Sequence, residues 1–311
     1  MDIDPEMRAF ADKADAWFGR ESTATPLAEQ RRTYAAFCRA FATARPAGLE
    51  VEDLTVRGEG AAVPVRLYRP AERGRLPGII YLHGGGWVLG SPDTHDSITA
   101  AMALAAEAAV ISVDYRLAPE NPYPAAFDDG YAVLREAAAR PRRFGIDPAR
   151  IALAGDSAGG NLAAAIALAA RDRGGPALRL QALVYPVVST NCDRPSCREH
   201  AEAPFLTRES LLYYIACYLG GASSTADPYA APLEAASHLG LPPAFIATAG
   251  IDPLRDDGAL YAERLRVAGV EVEYRCAPRL IHGYLRAFGF CRAARGEFDA
   301  LCAALRRHIA A

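Results

Sequence analysis

The stretch Ile151-Ala152-Leu153-Ala154-Gly155-Asp156-Ser157-Ala158-Gly159-Gly160-Asn161-Leu162 restricts what this chain can fold into more than any other. Ile151 to Ala154 is apolar at every position, the pattern of a strand covered on both faces in a parallel sheet. Leu162 to Ala170 is almost entirely alanine, leucine and isoleucine, so it predicts a buried helix rather than an amphipathic one. Between strand and helix lies G-x-S-x-G, centred on Ser157. A serine on so sharp a turn takes a strained backbone conformation and needs small neighbours, which Gly155, Ala158, Gly159 and Gly160 provide. Its hydroxyl then stands above the sheet at a helix N-terminus, where free N–H groups favour negative charge. The geometry predicted is a nucleophile elbow; an ordinary turn with a capping serine is the plainer alternative.

The rest of the chain predicts the surroundings of such an elbow. Residues 5–20 and 26–45 read as two helices from the spacing of Met7, Phe10 and Ala14 and of Phe37 and Phe41. Val51 to Arg57 and Val63 to Tyr68 alternate around Gly58-Glu59-Gly60 and predict an edge hairpin. Strands are then expected at Gly78–Leu82, Val110–Val113, Ile151–Ala154, Leu180–Tyr185, Ala244–Ala249 and Val270–Arg275. Helices are expected at Phe127–Ala139 and Leu254–Val267. This alternation implies an α/β, doubly wound, mostly parallel sheet with helices on both faces. From Val187 to about Leu241 the rhythm breaks into one helix, Arg208–Leu219, and many turn residues. An insertion of that size reads as part of a cover over the C-terminal strand ends. The expected division is therefore 1–45 as N-terminal cap helices, 46–186 and 241–311 as two parts of one catalytic domain, and 187–240 as a cap insertion.

Composition narrows the function classes. The chain has 311 residues, 51% of them hydrophobic and 23% charged, with a net charge of −3. No basic surface for nucleic acid is implied. The longest apolar run is too short to cross a bilayer, and Met1 to Glu6 is acidic without an apolar core, so a cytoplasmic protein without a secretory signal is expected. The seven cysteines are scattered and odd in number, which argues against a disulfide framework. Cys192, Cys197 and His200 lack both a fourth ligand and a short C-x₂-C hook, so no metal is expected.

A serine needs a base, and the base needs an orienting carboxylate. His282, in Leu280-Ile281-His282-Gly283-Tyr284, follows the last strand at the edge where open α/β sheets bind ligands. Asp252, in Gly250-Ile251-Asp252-Pro253, follows the penultimate strand; its competing reading is a helix cap. Asp256 and Asp257 fall inside the expected helix and should face solvent. The order Ser157, Asp252, His282 is that of α/β-hydrolases. His83-Gly84-Gly85-Gly86-Trp87 follows a strand directly. Its glycines let backbone N–H groups turn inward toward a developing oxyanion, beside the amide of Ala158.

Together these stretches resemble the hormone-sensitive-lipase-like (bacterial family IV) esterases of the α/β-hydrolase superfamily. The resemblance rests on His83-Gly84-Gly85-Gly86, Asp114-Tyr115-Arg116-Leu117-Ala118-Pro119-Glu120, Gly155-Asp156-Ser157-Ala158-Gly159-Gly160, Asp252-Pro253-Leu254-Arg255-Asp256 and Ile281-His282-Gly283. It implies an α/β-hydrolase fold with a helical cap, Ser157 as nucleophile, Asp252 as acid and His282 as base. It also implies oxyanion donors at Gly85, Gly86 and Ala158, and supporting roles for His83, Gly84, Gly155 and Gly159. Pro204-Phe205-Leu206-Thr207 is similar to the family's cap segment, and Trp87, Asp156 and Phe205 are candidate pocket residues. The expected activity is hydrolysis of carboxylic esters of short-to-medium acyl chain without a cofactor. A lactonase, amidase or acyltransferase using the same three residues, or a non-catalytic small-molecule receptor, are the alternatives. The expected partner is a small-molecule ester, with an edge-to-edge homodimer as a family expectation.

Overall fold

The computed structural model describes residues 1–18, 22–58, 60–71 and 74–310. Among these, one eight-stranded sheet organises the chain. Its strands are β1 (Leu49–Arg57), β2 (Ala62–Pro70), β3 (Leu76–Leu82), β4 (Ala109–Val113), β5 (Ile146–Asp156), β6 (Leu180–Val184), β7 (Ala244–Ile251) and β8 (Val272–Ile281). The spatial order is β1-β2-β4-β3-β5-β6-β7-β8, with β1 and β2 antiparallel and the six strands from β4 to β8 parallel. The hairpin sits at the edge, as expected; Glu59 in its turn lies outside the described residues. β3 and β5 are apolar throughout their central residues because both faces are covered. Ile80, Leu82, Ile151 and Leu153 pack toward one cluster, whereas Ile79, Tyr81, Ala152 and Ala154 pack toward the other.

The helices are α1 (Pro5–Trp17), α2 (Leu27–Ala40), α3 (Asp96–Ala105), α4 (Ala125–Ala139), α5 (Pro141–Phe144), α6 (Ala158–Asp172), α7 (Pro195–Glu199), α8 (Arg208–Tyr218), α9 (Arg255–Val267) and α10 (Arg292–Ile309). α3 and α10 cover one face of the sheet, and α4, α6 and α9 the other. α6 is buried from Ala158 to Ala170, as its lack of polar positions requires. Among the described residues, no helix is long and apolar enough to cross a membrane.

Several element boundaries differ from expectation, these among them. α2 stops at Ala40, not at residue 45, because β-branched Thr43 and a proline at 46 disfavour helical backbone before them. α1 ends at Trp17; residues 19 and 20 of the expected helix lie outside the described residues. β8 begins two residues later than expected and runs on to Ile281, which delivers His282 at its very end.

Candidate active site

The C-terminal ends of β3, β5, β7 and β8 meet at one rim of the sheet and present His83, Ser157, Asp252 and His282 respectively. Ser157 has φ 56° and ψ −120°, the strained turn expected of an elbow. The turn is held from both sides: the Ser157 N–H donates to the Val184 carbonyl at 2.8 Å, and Val187 N–H donates back to the Ser157 carbonyl at 3.3 Å. Gly155 and Gly159 face each other and the backbone at the end of β3, where a Cβ on either would collide.

His282 bridges the other two side chains. Its Nδ1 lies 2.8 Å from Asp252 Oδ2 and its Nε2 lies 2.9 Å from Ser157 Oγ. The carboxylate can only accept, so Nδ1 carries a proton, and Nε2 faces the serine hydroxyl. Asp252 is fully buried, and its second oxygen accepts the Leu254 N–H at 2.9 Å. The helix-cap reading of Asp252 does not hold, because the N-cap of α9 is Leu254; one Asp252 oxygen closes the turn before that helix and the other lies against His282.

Asp256 and Asp257 correct the expectation that they face solvent. Asp257 is buried and accepts from Arg194 Nε at 2.5 Å, while Asp256 accepts the Ser196 N–H at 2.8 Å. The cause is α7, which packs over the start of α9 and covers what would have been its wet face. Cys192 and Cys197 are buried thiols in the same insertion, and His200 Nε2 accepts from the Arg255 guanidinium at 3.1 Å.

Past β3, the glycine loop takes conformations that only glycine adopts readily, with φ 127° at Gly85 and 62° at Gly86. Gly85 and Gly86 line one cavity of about 350 Å³ together with Ser157 and His282. Ala158 is buried as the first residue of α6, a position whose N–H has no acceptor within its own helix. His83 is fully buried, stacks on Tyr115 at 4.2 Å and contacts the Gly84 carbonyl through Nδ1 at 3.0 Å. Burial pushes it down to about 3, so the ring stays neutral.

Asp156 Oδ1 accepts the Gly84 N–H at 3.0 Å and the Tyr81 hydroxyl at 2.7 Å, tying the elbow to the glycine loop. Burial alone would raise this carboxyl, yet the Arg286 guanidinium and the Tyr81 hydroxyl hold it well below the usual carboxylate range. The remaining cavity wall is mostly apolar and comes partly from α1 and α8. Trp87 stacks on Tyr218 at 4.1 Å. Phe205, at φ 71°, closes over Gly283 and joins Phe10, Phe18 and Phe37 in one aromatic cluster.

Sequence reasoning missed Arg286, Tyr34, His95 and Tyr185, all of which stand around this rim. Tyr185 sits 4.6 Å from the His282 ring. Arg286 carried one available signal: a lone cation inside the apolar run Leu285-Arg286-Ala287-Phe288, only four residues after the candidate base.

Comparison with known proteins identifies the fold and the family. Residues 79–286 match a family model described as the alpha/beta hydrolase fold. The chain is 49% identical over 242 residues to the carboxylesterase NlhH of Mycobacterium tuberculosis, covering 76% of each protein. It is 44% identical over 262 residues to the esterase LipI of the same organism, covering 83% of this chain and 82% of LipI. Among solved structures, the ester-hydrolase EH1AB1 from the metagenome of Lake Arreo, complexed with a derivative of bipyridine phosphonate, superposes with a TM-score of 0.94. That protein is 37% identical, over 99% of this chain and 100% of the other.

Proposed function

The chain belongs to the hormone-sensitive-lipase-like group of α/β-hydrolase esterases and is a carboxylic-ester hydrolase, and from that premise we propose an acyl-enzyme mechanism on Ser157. The observation that carries it is the unbroken contact from Asp252 through His282 to Ser157, at 2.8 and 2.9 Å. His282 Nε2 takes the hydroxyl proton as Ser157 Oγ attacks the ester carbonyl. The amides of Gly85, Gly86 and Ala158 receive the negative charge that develops on the carbonyl oxygen. The imidazolium, steadied by Asp252, returns its proton to the departing alcohol, leaving the acyl group on Ser157. Water, deprotonated by the same ring, then releases the carboxylic acid and restores the serine.

The cavity selects the ester. At about 350 Å³ it lies at the small end of ligand sites, and its mostly apolar wall favours acyl chains of short to medium length. In this reading α1, α2 and the 187–240 segment act as the cap that shapes the cavity, with Phe205 pinning one part of the cap to the other. The test pairs turnover of p-nitrophenyl butyrate with mass spectrometry after a p-nitrophenyl alkylphosphonate. The parent protein should hydrolyse the ester and gain one phosphonyl group on Ser157. Ser157→Ala should lose both while keeping its circular dichroism spectrum, and a Ser157→Ala protein that still turns over the ester would overturn the proposal.

A further inference from the structure

Four segments that are remote in the chain converge on one buried guanidinium. Arg286 is 6% exposed and sits in the single turn after His282. Its Nη1 donates to the Thr94 carbonyl at 2.8 Å. Its Nη2 donates to the Tyr34 hydroxyl on α2 at 2.7 Å and lies 2.8 Å from His95 Nε2.

The tautomer of His95 follows from its neighbours. The Thr94 hydroxyl gives its proton to the Ser91 carbonyl at 2.8 Å, so at 2.9 Å it can only accept from His95 Nδ1–H. His95 Nε2 is therefore a lone pair aimed at Arg286. Burial, together with the Arg286 charge, keeps the ring neutral.

Among the described residues, the hydrogen-bond acceptors of Arg286 are thus all neutral, and a buried cation among neutral groups needs a counter-charge. Asp156 supplies it. Its Oδ1 stands 3.4 Å from the same His95 nitrogen, on a carboxylate that also holds the Gly84 amide. α2 reaches this assembly twice: one turn before Tyr34, Arg31 donates to the Val88 carbonyl at 3.0 Å, just beyond the glycine loop. Resting on the acyl-enzyme reading of Ser157, we propose that Arg286 is a positioning residue which holds the Asp156 carboxylate, and through it the Gly84–Gly86 loop, and that Tyr34 ties cap helix α2 to that same anchor.

The physical content is a charge-assisted grip. A carboxylate accepts from Gly84 N–H and Tyr81 O–H about twice as strongly as a neutral acid does. Remove the guanidinium, and burial drives Asp156 toward its neutral form and loosens the loop that meets the oxyanion. Arg286 lines the cavity at its own end, and in this proposal it acts on the transition state through Asp156 and the glycine loop.

The test uses Arg286→Met, Arg286→Lys, Tyr34→Phe and Asp156→Asn, with kcat divided by the number of sites titrated by the phosphonate, so that unfolded protein drops out. Arg286→Met should lower kcat about 100-fold, the scale set by an ångström of misplacement at a reacting centre, with Arg286→Lys recovering part of it. The loss should be equal for acetyl and hexanoyl esters. The groups facing Asp156 that titrate are Tyr34, Cys38, Tyr81, His83, His95, Tyr115 and Tyr185, besides Arg286. Activity of Arg286→Met should recover as pH rises and Asp156 re-ionises, a limb that Asp156→Asn lacks. Tyr34→Phe should lower kcat several-fold in the same acyl-independent way. If Arg286→Met does not fold, Tyr34→Phe and Asp156→Asn decide alone: kcat per titrated site within twofold of the parent in both overturns the proposal. So does a loss that varies with acyl chain, or an Arg286→Met pH profile parallel to the parent. A parent that hydrolyses no ester and takes no phosphonate on Ser157 would instead overturn the acyl-enzyme reading itself.

Discussion

The α-carbon of Gly159 lies against Leu82 so closely that a methyl group there would overlap the Leu82 carbonyl oxygen. One helix residue and one strand residue, 77 positions apart by their numbers, thereby set the height of the nucleophile above the sheet. The obstacle is backbone on both sides and cannot rotate away. Gly159→Ala should destabilise the protein by about 3 kcal/mol, at the upper end of overpacking costs. Chemical denaturation measures this, and an unchanged midpoint would show that the elbow can move aside.

Asp252 fixes which nitrogen of His282 carries the proton. Asp252→Asn keeps the shape but can present N–H where the carboxylate accepted, favouring the wrong tautomer. The expected result is a fall in kcat of about 10⁴-fold with a native melting temperature, as in other serine hydrolases with this arrangement. A loss below tenfold would remove Asp252 from the mechanism.

Chain length should be read by the cavity. Each added acyl methylene that finds apolar wall contributes about 0.8 kcal/mol, or about fourfold in kcat/KM, until the space is full. A series of p-nitrophenyl esters from acetate to laurate should rise, peak at short to medium length and then decline. A steady rise through laurate would mean that the cap opens.

Two buried histidines make stability depend on pH. His83 falls from the usual 6.5 to about 3 on burial, and burial beside Arg286 lowers His95 as well. Below pH 6.5 the unfolded chain takes up these protons while the folded protein does not. Their stabilising effect is thus complete above about pH 6.5 and drains away as pH falls toward 3, by up to about 1.4 kcal/mol per pH unit for each ring. Denaturation at pH 7.5, 6, 5 and 4.5 checks the slope. The slope should shrink in His83→Gln, and an identical slope there would assign it to other groups.

How much of this was legible beforehand follows from the kind of information each residue carries. Short-range rules were sufficient for the alternation of strands and helices, the edge hairpin, the elbow and the order Ser157, Asp252, His282. Hydrophobic period, glycine spacing and position after a strand are all local properties. They could not place Asp257, because the cover that α7 lays over α9 comes from another part of the chain. Nor could they give Arg286, His95 and Tyr34 a role, even where the lone cation at 286 stood out, because their meaning lies in sharing one dry space with Asp156. The amino-acid order by itself determined the elements and the reacting groups. Only tertiary packing decided which buried charges face each other, because water must be excluded from a shared space before those charges can depend on one another.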